Sequence, residues 1–261
     1  MKYYVVDSFT KTLFHGNPAG VCIVSSFPKE EVMQNIAAEN RLSETAFVIA
    51  LGEGNYRIRF FAPDGEVDLC GHASLGSAYI ISQFIDPDRK QITLQANNDM
   101  LYVSIEDDGR ITMEFPSWKA EEREVTDEMA EAVGFRPISA WSSRDLILVG
   151  EDEETVRNAV PDEEKIGKLE ELGVLITARG KDADFVCRCF FPKLGIPEDP
   201  VCGSAECSLV PFWARQLSKN ELVNQQLTKR GGTVYCEMRE NSVAISGYVT
   251  IYAEADLKVE G

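Results

Sequence analysis

Residues 71–84 read Gly-His-Ala-Ser-Leu-Gly-Ser-Ala-Tyr-Ile-Ile-Ser-Gln-Phe, a helical pattern with small or apolar residues on almost every side. A helix without a polar face is buried all round. Residues 203–217 have the same character, because they also begin with glycine and small residues and are apolar nearly throughout. The sequence therefore predicts two buried helices, and Pro211 inside the second one predicts a kink or a break there.

The segments around these two helices have the pattern of short strands. Close spacing and a hairpin-type turn at residues 106–109 favour a mostly antiparallel or mixed sheet. Surface helices are predicted at 28–40, 127–134, 152–159 and 162–172. Strands are predicted at 1–7, 21–24, 45–50, 56–61, 92–96, 101–105, 111–115, 146–149, 174–177, 185–191, 232–238, 243–246 and 248–253, with a turn at 16–20.

The order of these elements repeats one plan: strands, a buried helix that begins with glycine, and more strands. We expect an α+β fold of two pseudo-symmetric lobes, each a curved mixed or antiparallel sheet wrapped around a central buried helix. The N-terminal lobe covers residues 1–117, with the last strand near 250–261 as a candidate to complete it, and the C-terminal lobe covers residues 118–261. The active site is expected in the cleft between the lobes.

Charge and composition exclude several classes of partner. The chain has 43 acidic and 26 basic residues, a net charge of −17, and no run of Lys and Arg, so binding to nucleic acid or to an anionic membrane is not expected. No stretch approaches the length of a transmembrane helix and the first residues lack the pattern of a signal peptide. Seven cysteines without such a signal indicate reduced thiols, so we expect a cytoplasmic protein.

The starts of the two buried helices are candidate anion sites. They read Cys-Gly-His-Ala at residues 70–73 and Cys-Gly-Ser-Ala at residues 202–205. A helix start has free N–H groups and partial positive charge, and glycine permits close approach of a ligand. We expect two such starts that face each other to bind a carboxylate without an arginine. The backbone donors would belong to Gly71, Ala73, Gly203 and Ala205.

Candidate acid–base groups precede both helix starts. Glu44 stands alone among small and apolar residues, where burial is expected to raise its pKa toward neutrality, as suits a general acid or base. Glu198 and Asp199 precede the second start as a second acid–base group or an orienting carboxylate. The plainer alternatives are an exposed turn acid for Glu44 and a loop-bracing role for Asp199.

Four motifs in this order resemble those of the PhzF-like, or phenazine-biosynthesis-like, family. They are Gly-Asn-Pro-Ala at residues 16–19, Leu-Ser-Glu-Thr-Ala-Phe at 42–47, Cys-Gly-His-Ala at 70–73, and Glu-Asp-Pro-Val at 198–201 followed by Gly-Ser-Ala at 203–205. The resemblance implies the two-lobed diaminopimelate-epimerase-like fold, often as a homodimer. It also implies a cofactor-independent isomerase that acts on a small carboxylate-bearing substrate.

The resemblance also implies roles for individual residues. Glu44 would shuttle a proton, while His72, Asp199 and Ser204 would shape the site as its other catalytic residues. A histidine that caps or packs and a serine that only begins a helix are the alternatives for His72 and Ser204. We also expect two residues of the first motifs to contact the substrate, Asn17 and Ser43.

Two departures from the family pattern bear on the substrate. Cys202 occupies the position of a typical threonine, and Glu206 that of a typical histidine. Cys70 and Cys202 also resemble the paired thiols of racemases and epimerases in the wider superfamily, where a helix start lowers the pKa of the thiol. A two-thiol racemase or epimerase is therefore an alternative function, although both cysteines also suit simple packing. A binding protein that has lost turnover is the third hypothesis.

The sequence contains little that indicates a metal or a cofactor. Cys187 and Cys189 flank Arg188 without a Cys-x-x-Cys pair, and His15 and His72 are the two histidines. The sequence has neither a Gly-x-Gly-x-x-Gly nor a phosphate-loop pattern. We therefore expect no metal and no cofactor, and a small carboxylate as the ligand.

Overall fold

In the computed structural model, which describes residues 1–259, the chain divides into two units. The first unit contains residues 1–114 and the segment from residue 246 to the end of the described chain, and the second contains residues 115–245. Both units combine helices with parallel and antiparallel strands, so the protein is a mixed α+β protein. None of the helices in residues 1–259 has the length and apolar character needed to cross a bilayer.

The helices begin where the sequence supplies caps or buried faces. Thr126, Asp152 and Asp162 each accept a hydrogen bond from the backbone N–H three residues ahead, which satisfies a donor at the helix start. A π-helical turn, Ile81–Ile85, continues the second helix, and Pro192–Leu194 forms a 3₁₀ turn. The α-helices are α1 (Glu30–Asn40), α2 (Gly71–Ile80), α3 (Asp127–Val133), α4 (Glu153–Asn158), α5 (Glu163–Lys168) and α6 (Glu206–Leu217).

The first eight strands and the last strand belong mainly to the first unit. Strand β1 pairs antiparallel with β2 and with β18, β2 pairs parallel with β3, β3 pairs antiparallel with β4, β4 pairs parallel with β6, and β6 pairs antiparallel with β7. These strands are β1 (Lys2–Ser8), β2 (Asn17–Ile23), β3 (Glu44–Gly52), β4 (Asn55–Ala62), β5 (Gly65–Val67), β6 (Gln91–Gln95), β7 (Met100–Ile105), β8 (Ile111–Pro116) and β18 (Val249–Asp256).

The second unit repeats this order of pairings. Strand β10 pairs antiparallel with β11, β11 parallel with β12, β12 antiparallel with β13, β13 parallel with β15, and β15 antiparallel with β16. In each unit the second parallel pair is joined by a connection that contains the buried helix, α2 or α6. The remaining strands are β9 (Glu121–Arg123), β10 (Ser139–Ser142), β11 (Leu146–Val149), β12 (Val174–Arg179), β13 (Phe185–Phe191), β14 (Ile196–Asp199), β15 (Glu221–Gln226), β16 (Gly232–Met238) and β17 (Ser242–Gly247).

Helix α2 is buried on nearly all sides, as its composition predicts. It packs on β1, β2 and β3, and a Cβ added at Gly76 would lie 2.6 Å from Val6 Cγ2. This close approach explains why small residues recur along the helix. The other helices of each unit cover a separate apolar layer. Met33 and Ile36 of α1 pack with Phe47 and Phe61 in the first unit, and α3–α5 cover the buried strands of the second unit.

Helix α6 departs from its prediction in two respects. It begins at Glu206 rather than Gly203, because the preceding residues form tighter turns in which Glu206 N–H donates to Gly203 O at 3.1 Å. The sequence predicts either a kink or a break at Pro211. The prediction of a break is wrong, since the α-helix continues through this residue. Pro211 has no N–H for the carbonyl of Cys207, and that carbonyl instead accepts the Trp118 N–H at 2.8 Å.

Several short or polar strands are not predicted from the sequence. Strand β15 reads Glu-Leu-Val-Asn-Gln-Gln, and its polar residues obscure the alternation of apolar and polar positions that identifies a strand. Four other strands contain only three or four residues, too few to show such alternation: β5, β9, β10 and β14. Strand β2 begins at Asn17, inside the predicted turn at 16–20, because Gly16 at φ 68° already completes the turn. The helix predicted at 162–172 ends at Lys168.

Candidate active site

Glu44 is the first residue of β3, at the point where the chain returns from α1 to the sheet. Arg41 ends α1 in the left-handed conformation at φ 51°, and β3 then pairs parallel with β2, so that Glu44 lies opposite Ala19. The side chain of Glu44 is only 13% exposed. The sheet thus holds a carboxylate at the end of a buried parallel pair.

His72 and Cys70 approach this carboxylate from the start of α2. His72 Nε2 lies 3.1 Å from Glu44 Oε2, and Cys70 Sγ lies 3.4 Å from His72 Nδ1. This distance makes His72 and Glu44 an ion pair when the imidazole is protonated. Ser8 Oγ donates to the His72 carbonyl at 2.7 Å and so anchors the helix start to β1.

This pairing reverses the pKa expected for Glu44. Burial alone raises the pKa of Glu44, but the charge and hydrogen bonding of His72, assisted by Cys70, lower it below its ordinary value. Burial lowers the pKa of His72, yet Cys70 and Glu44 together raise it well above its ordinary value. The predicted rise of the Glu44 pKa toward neutrality is therefore wrong. Within the pair, both shifts favour the charged forms, Glu44 as carboxylate and His72 as imidazolium.

The same surroundings oppose a thiolate at Cys70. Burial and the charge of Glu44 raise its pKa to about 11, and the contributions of His72 and of the Ala73 N–H offset this only in part. The lowered thiol pKa predicted from the helix start is wrong for Cys70. A fully buried sulfur beside a carboxylate loses more from desolvation than the helix start returns.

Within residues 1–259, one group of three potential metal ligands lies close together. Donor atoms of Glu44, Cys70 and His72 all lie within 4.8 Å of one another. A metal ion would bind the deprotonated forms of the thiol and the imidazole. Both groups have raised pKa values, so a metal would have to displace two protons from a buried site.

The predicted substrate-binding residues of the first unit belong to the same elements as this cluster or to the strand next to it. Asn17 is buried at the start of β2, and Ser43 Oγ donates to Asn17 Oδ1 at 3.3 Å. Gly71 and Ala73 belong to the first turn of α2. The structure therefore joins two of the sequence motifs by a hydrogen bond between β2 and the residue before β3.

The predicted residues of the second unit gather before α6. Cys202 is buried and its Sγ lies 3.4 Å from Ser204 Oγ, which also accepts a hydrogen bond from Arg144 Nη2 at 3.1 Å. Gln226 holds the Cys202 backbone on both sides, since its Oε1 accepts the Cys202 N–H at 2.9 Å and its Nε2 donates to the Cys202 carbonyl at 3.0 Å.

The two acids of the fourth motif differ in their surroundings. Glu198 is tied to Arg188, whose Nε donates to Glu198 Oε1 at 2.6 Å, so it is a structural partner of that arginine. Asp199 ends β14 half-buried, and its Oδ1 accepts the Val201 N–H at 3.2 Å. The predicted residues Gly203 and Ala205 lie in the turns that precede α6 rather than inside the helix.

Two functional candidates are not among the site residues predicted from the sequence. Arg144 lies beside Ser204, in a region where the sequence predicts carboxylate binding without an arginine, and the signal for it is the dipeptide Arg144-Asp145 immediately before the buried strand β11. Glu206 is the second. It is fully buried with hydrogen bonds from Asn224 and Gln226, and burial raises its pKa to about 7.

Comparison with known proteins agrees with the motifs. Residues 6–255 match the family described as phenazine biosynthesis-like protein. A Pseudomonas aeruginosa protein named as an uncharacterised isomerase is 40% identical over 260 residues, which cover 99% of both chains. The chain belongs to the phenazine biosynthesis-like, or PhzF, family. The family resemblance predicted from the four motifs is thus confirmed.

Solved structures of the PhzF family have the same fold. A putative phenazine biosynthesis PhzC/PhzF protein from Clostridium difficile is 44% identical, with a TM-score of 0.94 and coverage of 99% of this chain and 100% of that one. A probable proline racemase from Agrobacterium radiobacter, at 10% identity and a TM-score of 0.69, shows that the fold is also that of racemases and epimerases. This second likeness concerns the fold alone.

Proposed function

We propose that the protein is a metal- and cofactor-independent isomerase in which Glu44 moves a proton on a small carboxylate-bearing substrate. One observation carries the proposal: the largely buried carboxylate of Glu44 pairs with His72, whose Nε2 lies 3.1 Å from Oε2. The pairing favours the ionised form of Glu44, which is the form that can accept a proton. The name of the Pseudomonas aeruginosa relative as an isomerase supports the reaction class.

The proposed reaction moves one proton and changes no oxidation state. Glu44 takes a proton from a carbon next to an unsaturated or carboxylate-bearing system. The C–H bond breaks, its electron pair enters that system, and an O–H bond forms on Glu44. The proton then passes from Glu44 to another carbon, so that an O–H bond breaks and a new C–H bond forms. His72 holds the carboxylate in its ionised state before the first step and after the second.

The remaining expectations extend this proposal. The repeated order of strand pairings supports two pseudo-symmetric lobes of the epimerase type. Roles for Asp199 and Ser204, and anion binding by Gly71, Ala73, Gly203 and Ala205, stay predictions. A homodimer and a cytoplasmic location are proposals from the family and from the cysteine usage, and light scattering of the purified protein tests the first.

Two other functions stay open to the same experiments. The two-thiol racemase or epimerase requires a thiolate at Cys70, and the raised pKa of about 11 leaves little of this sulfur as thiolate at neutral pH. A binding protein without turnover would keep the pairing of Glu44 with His72 but would break no C–H bond. Solvent exchange therefore separates it from either enzyme.

The test is incorporation of deuterium from heavy water into small amino and unsaturated carboxylic acids, followed by mass spectrometry. The wild-type protein should label at least one compound, and Glu44→Gln should reduce the rate by about 10²–10⁴-fold because it cannot accept the proton. Glu39→Gln, an exposed glutamate on α1, is the matched control and should retain the wild-type rate. Full exchange by Glu44→Gln would exclude Glu44 as the base.

A further inference from the structure

A pocket in the second unit lies beside Ser204 but contains none of the residues that the family motifs identify. It has a volume of about 510 Å³ and is lined by Ser117, Trp118, Lys119, Ser143 and Arg144. This volume falls within the range of roughly 300–1,000 Å³ that is typical of small-molecule sites. The pocket is open to solvent, so it offers space for part of a small ligand without enclosing it.

Arg144 is fixed in this pocket on several sides. Its Nε donates to both oxygens of Asp145, at 3.2 and 3.0 Å, and its Nη2 donates to Asp145 Oδ2 at 2.6 Å. Asp145 is fully buried, and the guanidinium lies 4.6 Å above the ring of Trp118. A guanidinium held by a carboxylate, a hydroxyl and an aromatic face is preorganised for binding.

The walls of the pocket are fixed to α6. The backbone N–H of Trp118 donates to the Cys207 carbonyl, the acceptor that Pro211 leaves free inside the helix. Ser143 Oγ and Ser208 Oγ share a hydrogen bond of 2.8 Å. Both attachments join the pocket to the first turns of the buried helix, so they fix the pocket relative to Ser204.

Hydrogen-bonding capacity in the pocket exceeds what the described chain uses. Within residues 1–259, Nη1 of Arg144 has no protein acceptor and the ammonium of Lys119 has no carboxylate partner. The charge of Arg144 is balanced by Asp145, whereas that of Lys119 is not. The pocket thus carries about one net positive charge in a chain whose net charge is −17.

We propose that this pocket binds a carboxylate, with Arg144 Nη1 and Lys119 Nζ as charged donors and Trp118 as an apolar wall. A carboxylate carries one negative charge, which matches the uncompensated charge of the pocket, and its oxygens suit a guanidinium edge. Under the proposed function, on which this last step rests, the carboxylate belongs to the substrate. Arg144 is then a substrate-binding residue of the isomerase.

The test uses benzoate and its uncharged counterpart benzamide as probes in calorimetric titrations. Wild-type protein should bind benzoate and should bind benzamide at least 10-fold more weakly, because charge-assisted hydrogen bonds are the stronger ones. Arg144→Gln should weaken benzoate binding by about 10-fold or more, and Lys119→Gln by a smaller factor. Arg215→Gln is the matched control, since Arg215 lies 4.8 Å over Trp141 in the same unit but does not line the pocket.

A companion variant guards against misfolding. Arg144→Gln leaves the carboxylate of Asp145 buried without its partner, so Arg144→Gln/Asp145→Asn removes both charges together. Circular dichroism confirms that each variant folds. If a folded Arg144 variant binds benzoate as tightly as wild type, or if Arg215→Gln loses as much affinity, the proposal is wrong. Inorganic phosphate that competes better than benzoate would also overturn it.

These experiments test carboxylate binding by the pocket and isomerase activity separately. Glu39→Gln, at an exposed position on α1, should bind benzoate with unchanged affinity, because Glu39 does not line the pocket. Loss of benzoate binding in the Arg144 variants supports the pocket even if the wild-type protein exchanges no deuterium, and the proposed isomerase alone is then wrong. Conversely, deuterium exchange at full efficiency by a folded Arg144 variant shows that the substrate carboxylate does not bind there.

Discussion

His72 Nε2 lies 3.1 Å from Glu44 Oε2, and the two residues lie in the first turn of α2 and at the start of β3. Burial penalises a charge on either group alone, but each charge stabilises the other, so the pKa of Glu44 is lowered and that of His72 is raised. The two groups therefore titrate as a pair. The base and the group that keeps it ionised form one unit of the proposed mechanism.

Replacement of His72 should make the proposed base dependent on pH. In His72→Gln the amide keeps hydrogen bonding but carries no charge, so burial raises the pKa of Glu44 against the hydrogen bonding of the amide and of Cys70 alone. We expect a rate loss of roughly 10²-fold near neutral pH, as for a misplaced catalytic group, with a larger loss in acid. The measurement is the pH profile of deuterium exchange, whose acid limb should move to higher pH.

The other histidine provides the control for this variant. His15 lies in an exposed loop, with its ring 3.1 Å from the Leu13 carbonyl, and His15→Gln should leave the pH profile in place. A pH profile of His72→Gln that has the wild-type shape at a lower rate would show that His72 does not control the ionisation of Glu44.

Replacement of the two cysteines should leave most of the activity intact. Cys70→Ala removes a protonated thiol whose pKa is raised to about 11, and Cys202→Thr keeps a small buried side chain and restores the residue typical of the family. We expect deuterium exchange within roughly 10-fold of wild type, because an acid–base group would contribute about 10²–10⁴-fold.

The two-thiol alternative predicts the opposite pattern. Either cysteine change would then abolish exchange, and alkylating agents would inactivate the enzyme unless a ligand protected it. Cys22→Ala, a buried cysteine in β2, serves as the control for the loss of a thiol from the core. Abolished exchange in both Cys70→Ala and Cys202→Thr, with Cys22→Ala active, would replace Glu44 by the thiols as the acid–base groups.

Activity should survive removal of metal ions. The donor atoms of Glu44, Cys70 and His72 lie within 4.8 Å, but binding of a metal requires loss of the protons that the raised pKa values of Cys70 and His72 retain. Dialysis against EDTA should therefore leave the rate of deuterium exchange unchanged. A loss that a divalent ion restores would contradict the proposed mechanism.

The sequence predicts elements well where one local property decides them. Helix α2 has no polar face, and strand β13 is apolar except for Arg188, so both follow from composition alone. Strand β15 was missed because a polar strand can still be buried when its side chains have partners. Asn224 and Gln226 in this strand are both buried and donate to Glu206.

The candidate site depends on distances that sequence patterns do not contain. Glu44 was identified from its apolar neighbours, but the direction of its pKa shift is decided by His72, which lies 28 positions further along the chain. Arg144 likewise meets Ser204 across 60 positions. A motif indicates which ionisable side chains a site contains. Their protonation states depend on which side chains are in contact, and this requires the structure.

Glu206 provides a separate test, because its carboxyl group is fully buried in the core of the second unit. Asn224 Nδ2 and Gln226 Nε2 donate to Oε1 at 2.5 and 3.1 Å, and Cys236 Sγ lies 3.7 Å from Oε2. Burial raises the pKa from 4.5 to about 7 although these contacts lower it. The folded protein therefore favours the protonated form of this residue.

The raised pKa of Glu206 should make the protein less stable as pH rises. Between pH 4.5 and about 7 the folded state holds a proton that the unfolded chain releases, so this contribution to stability is complete below pH 4.5 and lost as pH passes about 7. At about 1.4 kcal/mol per pKa unit, the loss in the free energy of unfolding is up to about 3 kcal/mol.

Glu206→Gln keeps an acceptor for both amides without a charge and should abolish this loss. Urea titrations from pH 5 to pH 8 measure the difference, with Glu221→Gln on the exposed end of β15 as the control. Wild-type and Glu206→Gln stabilities that change in parallel with pH would show that Glu206 does not take up a proton on folding.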